Sequence, residues 1–216
     1  MRIFKVTLIA IAILIGTNVS AQNSPFTFGV RTGLNLSNLK DNIMDTNPKI
    51  GFNVGLTADY NFTSSLFLTT GIDLTTKGAK WKFELDIDDM YIEEGEETSF
   101  NVTINPIFLQ MPLHIGYKFD ITQNTKIFFH AGGYAAVGVA GKMSMGGVSF
   151  DIWGKESLID KNDFQRFDYG LGGGFGVEFG KINVGLAYEH GFANINTDVD
   201  RDIFHRNATL TVGYKF

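Results

Sequence analysis

Alternation with a period of two decides what this chain can fold into. In the stretch FTFGVRTGLNL, Phe26, Phe28, Val30, Thr32, Leu34 and Leu36 share one parity; Thr27, Gly29, Arg31, Gly33 and Asn35 share the other. Successive side chains of a strand point to opposite faces, so this stretch predicts a strand with one apolar and one polar face. The next stretch repeats the pattern, with Ile50, Phe52, Val54, Leu56, Ala58, Tyr60 and Phe62 set against Gly51, Asn53, Gly55, Thr57, Asp59 and Asn61. Six more segments follow, their apolar parities running over Leu66 to Leu74, Ile107 to Phe119, Ile127 to Val139, Gln165 to Phe179, Ile182 to Tyr188 and Ala208 to Phe216. Segments of about ten residues are the length of a tilted strand that crosses a bilayer.

The charges say which face meets what. Within these spans Arg31, Asp59, Asp73, Lys118, Arg166, Asp168, Glu178, Glu189 and Lys215 all sit opposite the apolar parity, as do His114 and His130. The polar face of a soluble sandwich carries many exposed Lys and Glu; here it is mostly Gly, Asn and Thr with a few charges of both signs. Gly is 25 of 216 residues, above the usual ~7%. The apolar face therefore belongs to lipid and the polar face to a narrow lumen. The predicted fold is all-β, an eight-stranded antiparallel up-and-down transmembrane β-barrel. It has ten strands if FNVTI and GVSFDIW also cross.

Residues 1–21 read as a secretory signal peptide. Arg2 and Lys5 precede the apolar run Val6 to Ile15, and Val19-Ser20-Ala21 supplies compact residues before Gln22. Residues 22–216 are then the barrel domain. Without Arg2 and Lys5, 16 Lys and Arg remain of 18, against 23 Asp and Glu, a net charge of −7. That balance argues against nucleic acid as a partner, and the absence of Cys excludes disulfide or thiolate chemistry.

The connections alternate in length. Thr63 to Ser65, Asp120 to Thr125 and Gly180-Lys181 are short; Ser37 to Lys49, Thr76 to Pro106, Ala140 to Phe164 and His190 to Arg206 are long. Outer-membrane barrels keep short turns in the periplasm and long loops outside, which predicts periplasmic termini. The downward strands then end in Tyr60 and Phe62, Tyr117 and Phe119, Phe179, and Tyr214 and Phe216. These rings predict an aromatic girdle at the periplasmic interface.

Four stretches carry a family resemblance: FTFGVRTGLNLSNL, IFLQMPLHIGYKF, FDYGLGGGFGVEF and NATLTVGYKF. With them, most of the chain after residue 21 resembles the small outer-membrane β-barrel proteins typical of Bacteroidetes, which include PorT-like proteins. The resemblance implies an outer-membrane location and recognition of the last strand, Ala208 to Phe216, by the barrel-assembly machinery. A PorT-like relationship further implies an accessory role in a secretion or translocation complex, with envelope proteins as partners.

The nine lumen charges are read as a structural network, because an eight-stranded barrel is just wide enough to be filled by side chains and an unpaired charge inside it is costly. The run GLGGGFG keeps strand parity and opens no helix, so it is no phosphate loop; its inward glycines leave room for large lumen side chains. The acidic run from Glu84 to Glu97 matches no EF-hand spacing and reads as a solvated loop with weak affinity for divalent ions. The flanking Lys77, Lys80 and Lys82 are expected to meet lipid or lipopolysaccharide phosphates. His114 and His130 face inward without a sequence-adjacent nucleophile, and His190 and His205 sit near outer loops. No catalytic, cofactor-binding or metal site is assigned. The predicted function is that of a non-enzymatic integral outer-membrane protein with a filled polar lumen and long outer loops. An accessory subunit or a narrow channel is the alternative, and a lipid-modifying enzyme comes after those.

Overall fold

The computed structural model describes residues 24–41, 46–85, 98–153, 165–194 and 202–216, with the side chains at 41, 82–85 and 98–100 excepted. Residues 1–21 and the side chains of the acidic run lie outside the described residues, as does that of Lys82. The strands are β1 (Phe26–Asp41), β2 (Lys49–Asn61), β3 (Leu66–Thr76), β4 (Ala79–Leu85), β5 (Thr98–Asp120), β6 (Thr125–Met145), β7 (Val148–Asp151), β8 (Phe167–Phe179), β9 (Ile182–Gly191) and β10 (Ile203–Lys215). They pair antiparallel in the order β4-β5-β3-β2-β1-β10-β9-β8-β6-β7, and a further β5–β6 pairing closes the sheet.

The closed ring has eight strands: β1, β2, β3, β5, β6, β8, β9 and β10. β4 continues β3 beyond a kink at Gly78, whose φ of 132° suits only glycine, and pairs with the first residues of β5. β7 folds back on the end of β6 through Gly146 and Gly147, both at positive φ as a type I′ turn requires. FNVTI is thus part of β5 and GVSFDIW contains β7. Both are strands, and neither adds a stave to the ring.

The three short turns between ring strands, β2–β3, β5–β6 and β8–β9, lie at one end of the barrel, here the turn end, with Phe26 and Phe216. Three backbone bonds tie that end together, each 2.8 Å: Lys118 N–H to the Ser65 carbonyl, Gly180 N–H to Asn124 and Lys215 N–H to Lys181. The seam closes there too. Val30 faces Tyr214 across β1 and β10, and the Phe216 N–H donates to the Phe28 carbonyl at 2.9 Å. That bond ties the Phe216 backbone to β1 just past the end of β10.

The outer wall is apolar all round. Large apolar side chains from Phe26 and Phe28 through Leu34, Phe52, Ile72, Leu113, Phe175, Leu186 and Leu210 stand exposed around the ring, a surface far beyond what a soluble monomer presents. At the turn end the expected rings stand on this wall. Tyr60 and Phe62 are 4.9 Å apart, Tyr117 and Phe119 4.8 Å, and Tyr214 and Phe216 5.8 Å, while Phe179 is exposed. Phe26 joins them, 5.0 Å from Tyr60.

β5 and β6, at 23 and 21 residues, are about twice the ~9–11 residues that a crossing needs. Their far ends, with β4 and β7, form a four-stranded extension beyond the ring. A bulge re-aims this extension. Phe108 faces Gly138 while Ile107 faces Ala140, which leaves Val139 unpaired. One extra residue reverses every side chain beyond it. Tyr134 and Ala136 point inward before the bulge, and Gly141 and Met143 do so after it.

Candidate functional site

The lumen holds a dense grouping of paired charged side chains, stratified along the barrel axis. At the turn end Lys215 Nζ lies 2.6 Å from Glu178 Oε2 and 2.9 Å from Asp59 Oδ2, while Lys118 Nζ lies 3.6 Å from the same Glu178 oxygen. Lys118 also stands 4.7 Å above the Phe67 ring. At mid-height Arg31 grips Asp73 with two bonds, Nε to Oδ1 at 2.8 Å and Nη2 to Oδ2. Beside this pair the Nδ1 atoms of His114 and His130 are 2.8 Å apart, one donating to the other.

Nearer the far end, Lys77 Nζ meets Asp168 Oδ2 at 2.8 Å and Glu189 Oε2 at 3.8 Å, with the Tyr134 ring 4.2 Å away. The Tyr134 hydroxyl donates to Asp168 Oδ2 at 3.2 Å, and Gln110 Nε2 donates to Glu189 Oε1 at 2.6 Å. His205 packs edge-on against Phe108 at 5.3 Å and is buried. Above this layer the lumen turns apolar. Leu39, Ala79, Trp81, Val102, Ile104, Ile152 and Ile203 form a buried cluster, with Met143 and Trp153 against it.

Inward glycines make the packing fit. A Cβ on Gly116 would strike the Phe67 ring, one on Gly174 would lie 2.8 Å from His130 Nε2, and one on Gly176 would lie 2.5 Å from Phe128 Cζ. The rings therefore lie flat across strands that have no side chains there. What space remains is a cavity of ≈ 110 Å³ lined by Arg31, Asp59, Asp73, His130, Asn183 and Lys215 among others. That is room for a few waters bridging polar groups.

Chemically, the arrangement neutralises charge. Each lumen cation is paired with a carboxylate. Among the described residues no cluster of three or more His, Cys, Asp or Glu could hold a metal ion, and neither His114 nor His130 bonds a hydroxyl.

Eight of the nine charges expected in the lumen stand there; Arg166 does not. Arg166 is exposed at the far rim, donating from Nη2 to the Trp153 carbonyl at 3.1 Å with its guanidinium 5.6 Å from that indole. It precedes the first residue of β8, so strand parity no longer aims it. The inward space over Gly138, whose N–H bonds the Arg166 carbonyl, is filled by Trp153. Lys77 corrects a second expectation, for it is folded into the lumen and meets no lipid. It continues the inward parity of Asp73 and Thr75, a signal visible in the sequence. His205 likewise belongs to the lumen and not to an outer loop.

The difference between the two arginines is testable. Arg166→Ala is expected to cost less than about 1 kcal/mol, as for exposed charges generally. Arg31→Ala should cost about 3–5 kcal/mol because it strands the buried Asp73. Urea titrations of the two variants in lipid vesicles compare them directly.

The sequence, matched against family descriptions over residues 20–196, fits the outer membrane protein beta-barrel domain. The chain belongs to that family. Its apolar wall accordingly faces the lipid of an outer membrane. No curated protein matches in sequence. Solved barrels similar to it include Ail, the attachment invasion locus protein of Yersinia pestis, at 18% identity and a TM-score of 0.43, covering 89% of this chain and 99% of that one. Neisserial surface protein A aligns at 16% identity and a TM-score of 0.46, covering 88% and 97%. PagL, an outer membrane enzyme, aligns at 16% identity and 0.46, covering 86% and 98%. Likenesses of this strength carry nothing about activity.

Proposed function

We propose that this family member is a non-enzymatic barrel, closed to solutes, that acts through the strands and loops at its far end. The apolar cluster around Trp81 and Ile152 carries this reading. A conducting lumen needs a continuous polar path, and here that path stops beneath a layer of buried aliphatic and aromatic side chains. The Lys77–Asp168 pair directly below it is sealed from both sides. In this reading the turn end and both termini lie in the periplasm, as the short turns and the aromatic rings there support. The four-stranded extension then stands outside the cell, where other envelope proteins are its natural partners, and β10 is the strand offered to the assembly machinery.

Planar bilayer recording tests the closure. Folded protein, verified by heat-modifiable gel mobility, should leave the bilayer silent. Reproducible unit steps of conductance would sink the closed-barrel reading in favour of a narrow channel.

A further inference from the structure

We propose that the outer wall just above the apolar band holds a binding site for the phosphate of an outer-leaflet lipid, built by Lys49, Lys80 and Lys142 around Asn105. The site rests on the orientation given above, with the far end outside.

Strand register brings the four residues together from four strands. Asn105 of β5 faces Lys142 of β6, and Lys80 of β4 pairs with Thr103 of β5 on one side and Asn47 on the other. Lys49, two residues beyond Asn47, reaches across to place Nζ 2.6 Å from Asn105 Oδ1. The bulge at Val139 is what completes the patch. Without the extra residue Lys142 would share the inward parity of Tyr134 and Ala136; with it, Lys142 turns to the outer wall, where it is exposed.

Height and charge point to the ligand. Directly below the lysines the same strands present Ile50, Leu109 and Val139 to lipid. The wall therefore changes from apolar to cationic at one level, matching an amphiphile with acyl chains beneath and phosphate on top. Among the described residues none of the three lysines makes an ion pair within 4.0 Å, although Asp151 lies across the strand from Lys142. The Lys80 charge acts against that of Lys49. Like charges gathered with no ion pair to a described residue are unfavourable, and a lipid phosphate relieves them. That this happens in a chain with an excess of acidic residues makes the local cluster the more specific.

The test uses the full processed protein extracted from outer membranes in neutral detergent, titrated with bisphosphorylated lipid A and read by native mass spectrometry. Lys49→Gln, Lys80→Gln and Lys142→Gln combined should weaken binding roughly 100-fold, at about five-fold per lysine. Lys126→Gln with Lys181→Gln, at the turn end, should leave it unchanged, and dephosphorylated lipid A should bind the unaltered protein as weakly as lipid A binds the triple variant. Inorganic pyrophosphate should not displace the lipid. Retained heat-modifiable mobility certifies that each variant is folded. The site is overturned if the folded triple variant binds as the unaltered protein does, if the turn-end pair is equally damaging, if dephosphorylated lipid binds as well, or if pyrophosphate competes. Binding in detergent does not depend on which end faces outward, so such a failure leaves the orientation and the closed lumen standing.

Discussion

Replacing Lys77 with Met is expected to destabilise the barrel by about 3–5 kcal/mol, because it leaves a buried carboxylate without its cation. Lys77 is 1% exposed and Asp168 0%, so water cannot take the place of the ammonium. The Tyr134 hydroxyl would remain the one described donor to Asp168 Oδ2, and Asp168 Oδ1 already lacks a hydrogen-bond partner. Converting both members, Lys77→Met with Asp168→Leu, should recover only part of the loss: an apolar pair needs no counter-charge, but Glu189, 3.8 Å from Lys77, still loses its cation and the Tyr134 hydroxyl loses its acceptor. Urea unfolding in lipid vesicles, followed by gel mobility, supplies both numbers. A single variant as stable as the parent would mean that the Lys77–Asp168 pair contributes nothing to stability, and the charge pairing of the upper lumen would have to be redrawn.

Neighbouring glycines on β8 are expected to respond very differently to the same methyl group. At Gly176 a Cβ meets Phe128 Cζ at 2.5 Å and Gly185 Cα at 2.8 Å, and it also strikes the Val184 carbonyl. The β9 backbone at Val184 and Gly185 cannot retreat without opening the β8–β9 ladder. Gly176→Ala should therefore cost about 1–3 kcal/mol and slow assembly. At Gly172 the nearest atoms are Glu189 Cγ at 3.1 Å and the Tyr188 carbonyl at 3.2 Å. There the side chain can yield by a fraction of an ångström, and the reduced freedom of the unfolded chain returns about 0.4–1 kcal/mol. Gly172→Ala should be near neutral. Phe128→Ala added to Gly176→Ala should rescue it only in part, since the carbonyl contact persists. Equal effects at the two positions would remove the argument that ring packing across the lumen sets where glycine is required.

The three short turns illustrate how much is local. Gly180, at a φ of 58°, opens a two-residue turn between Phe179 and Ile182, and glycine at that place in a hairpin is legible from the residues alone. The girdle residues Tyr60, Tyr117 and Tyr214 are equally legible, because each ends a strand whose parity is unbroken. Trp81, Val102 and Ile104 are not. They sit in long connections of the sequence, and their inward direction follows from β4 and β5 running on past the bilayer. A hint exists in VTINPIFLQM, where both parities are apolar, so that neither face can be assigned to water or lipid from the pattern alone.

The sequence by itself determined the all-β class, the eight crossing segments, the apolar wall and the short-turn end. Each of these follows from a period of two or from turn chemistry, which act over a few residues. Only the tertiary structure decided what fills the lumen and where the pattern stops applying. Closing the sheet brings Lys77 to Asp168 across 91 positions of chain, a distance no local rule spans. The bulge at Val139 reverses parity for everything after it, moving Lys142 from the lumen side to the wall. Beyond the bilayer, lipid no longer dictates which face is apolar. There the inward side turns hydrophobic around Trp81 and Ile152, while Arg166, past the end of its strand, swings out to Trp153.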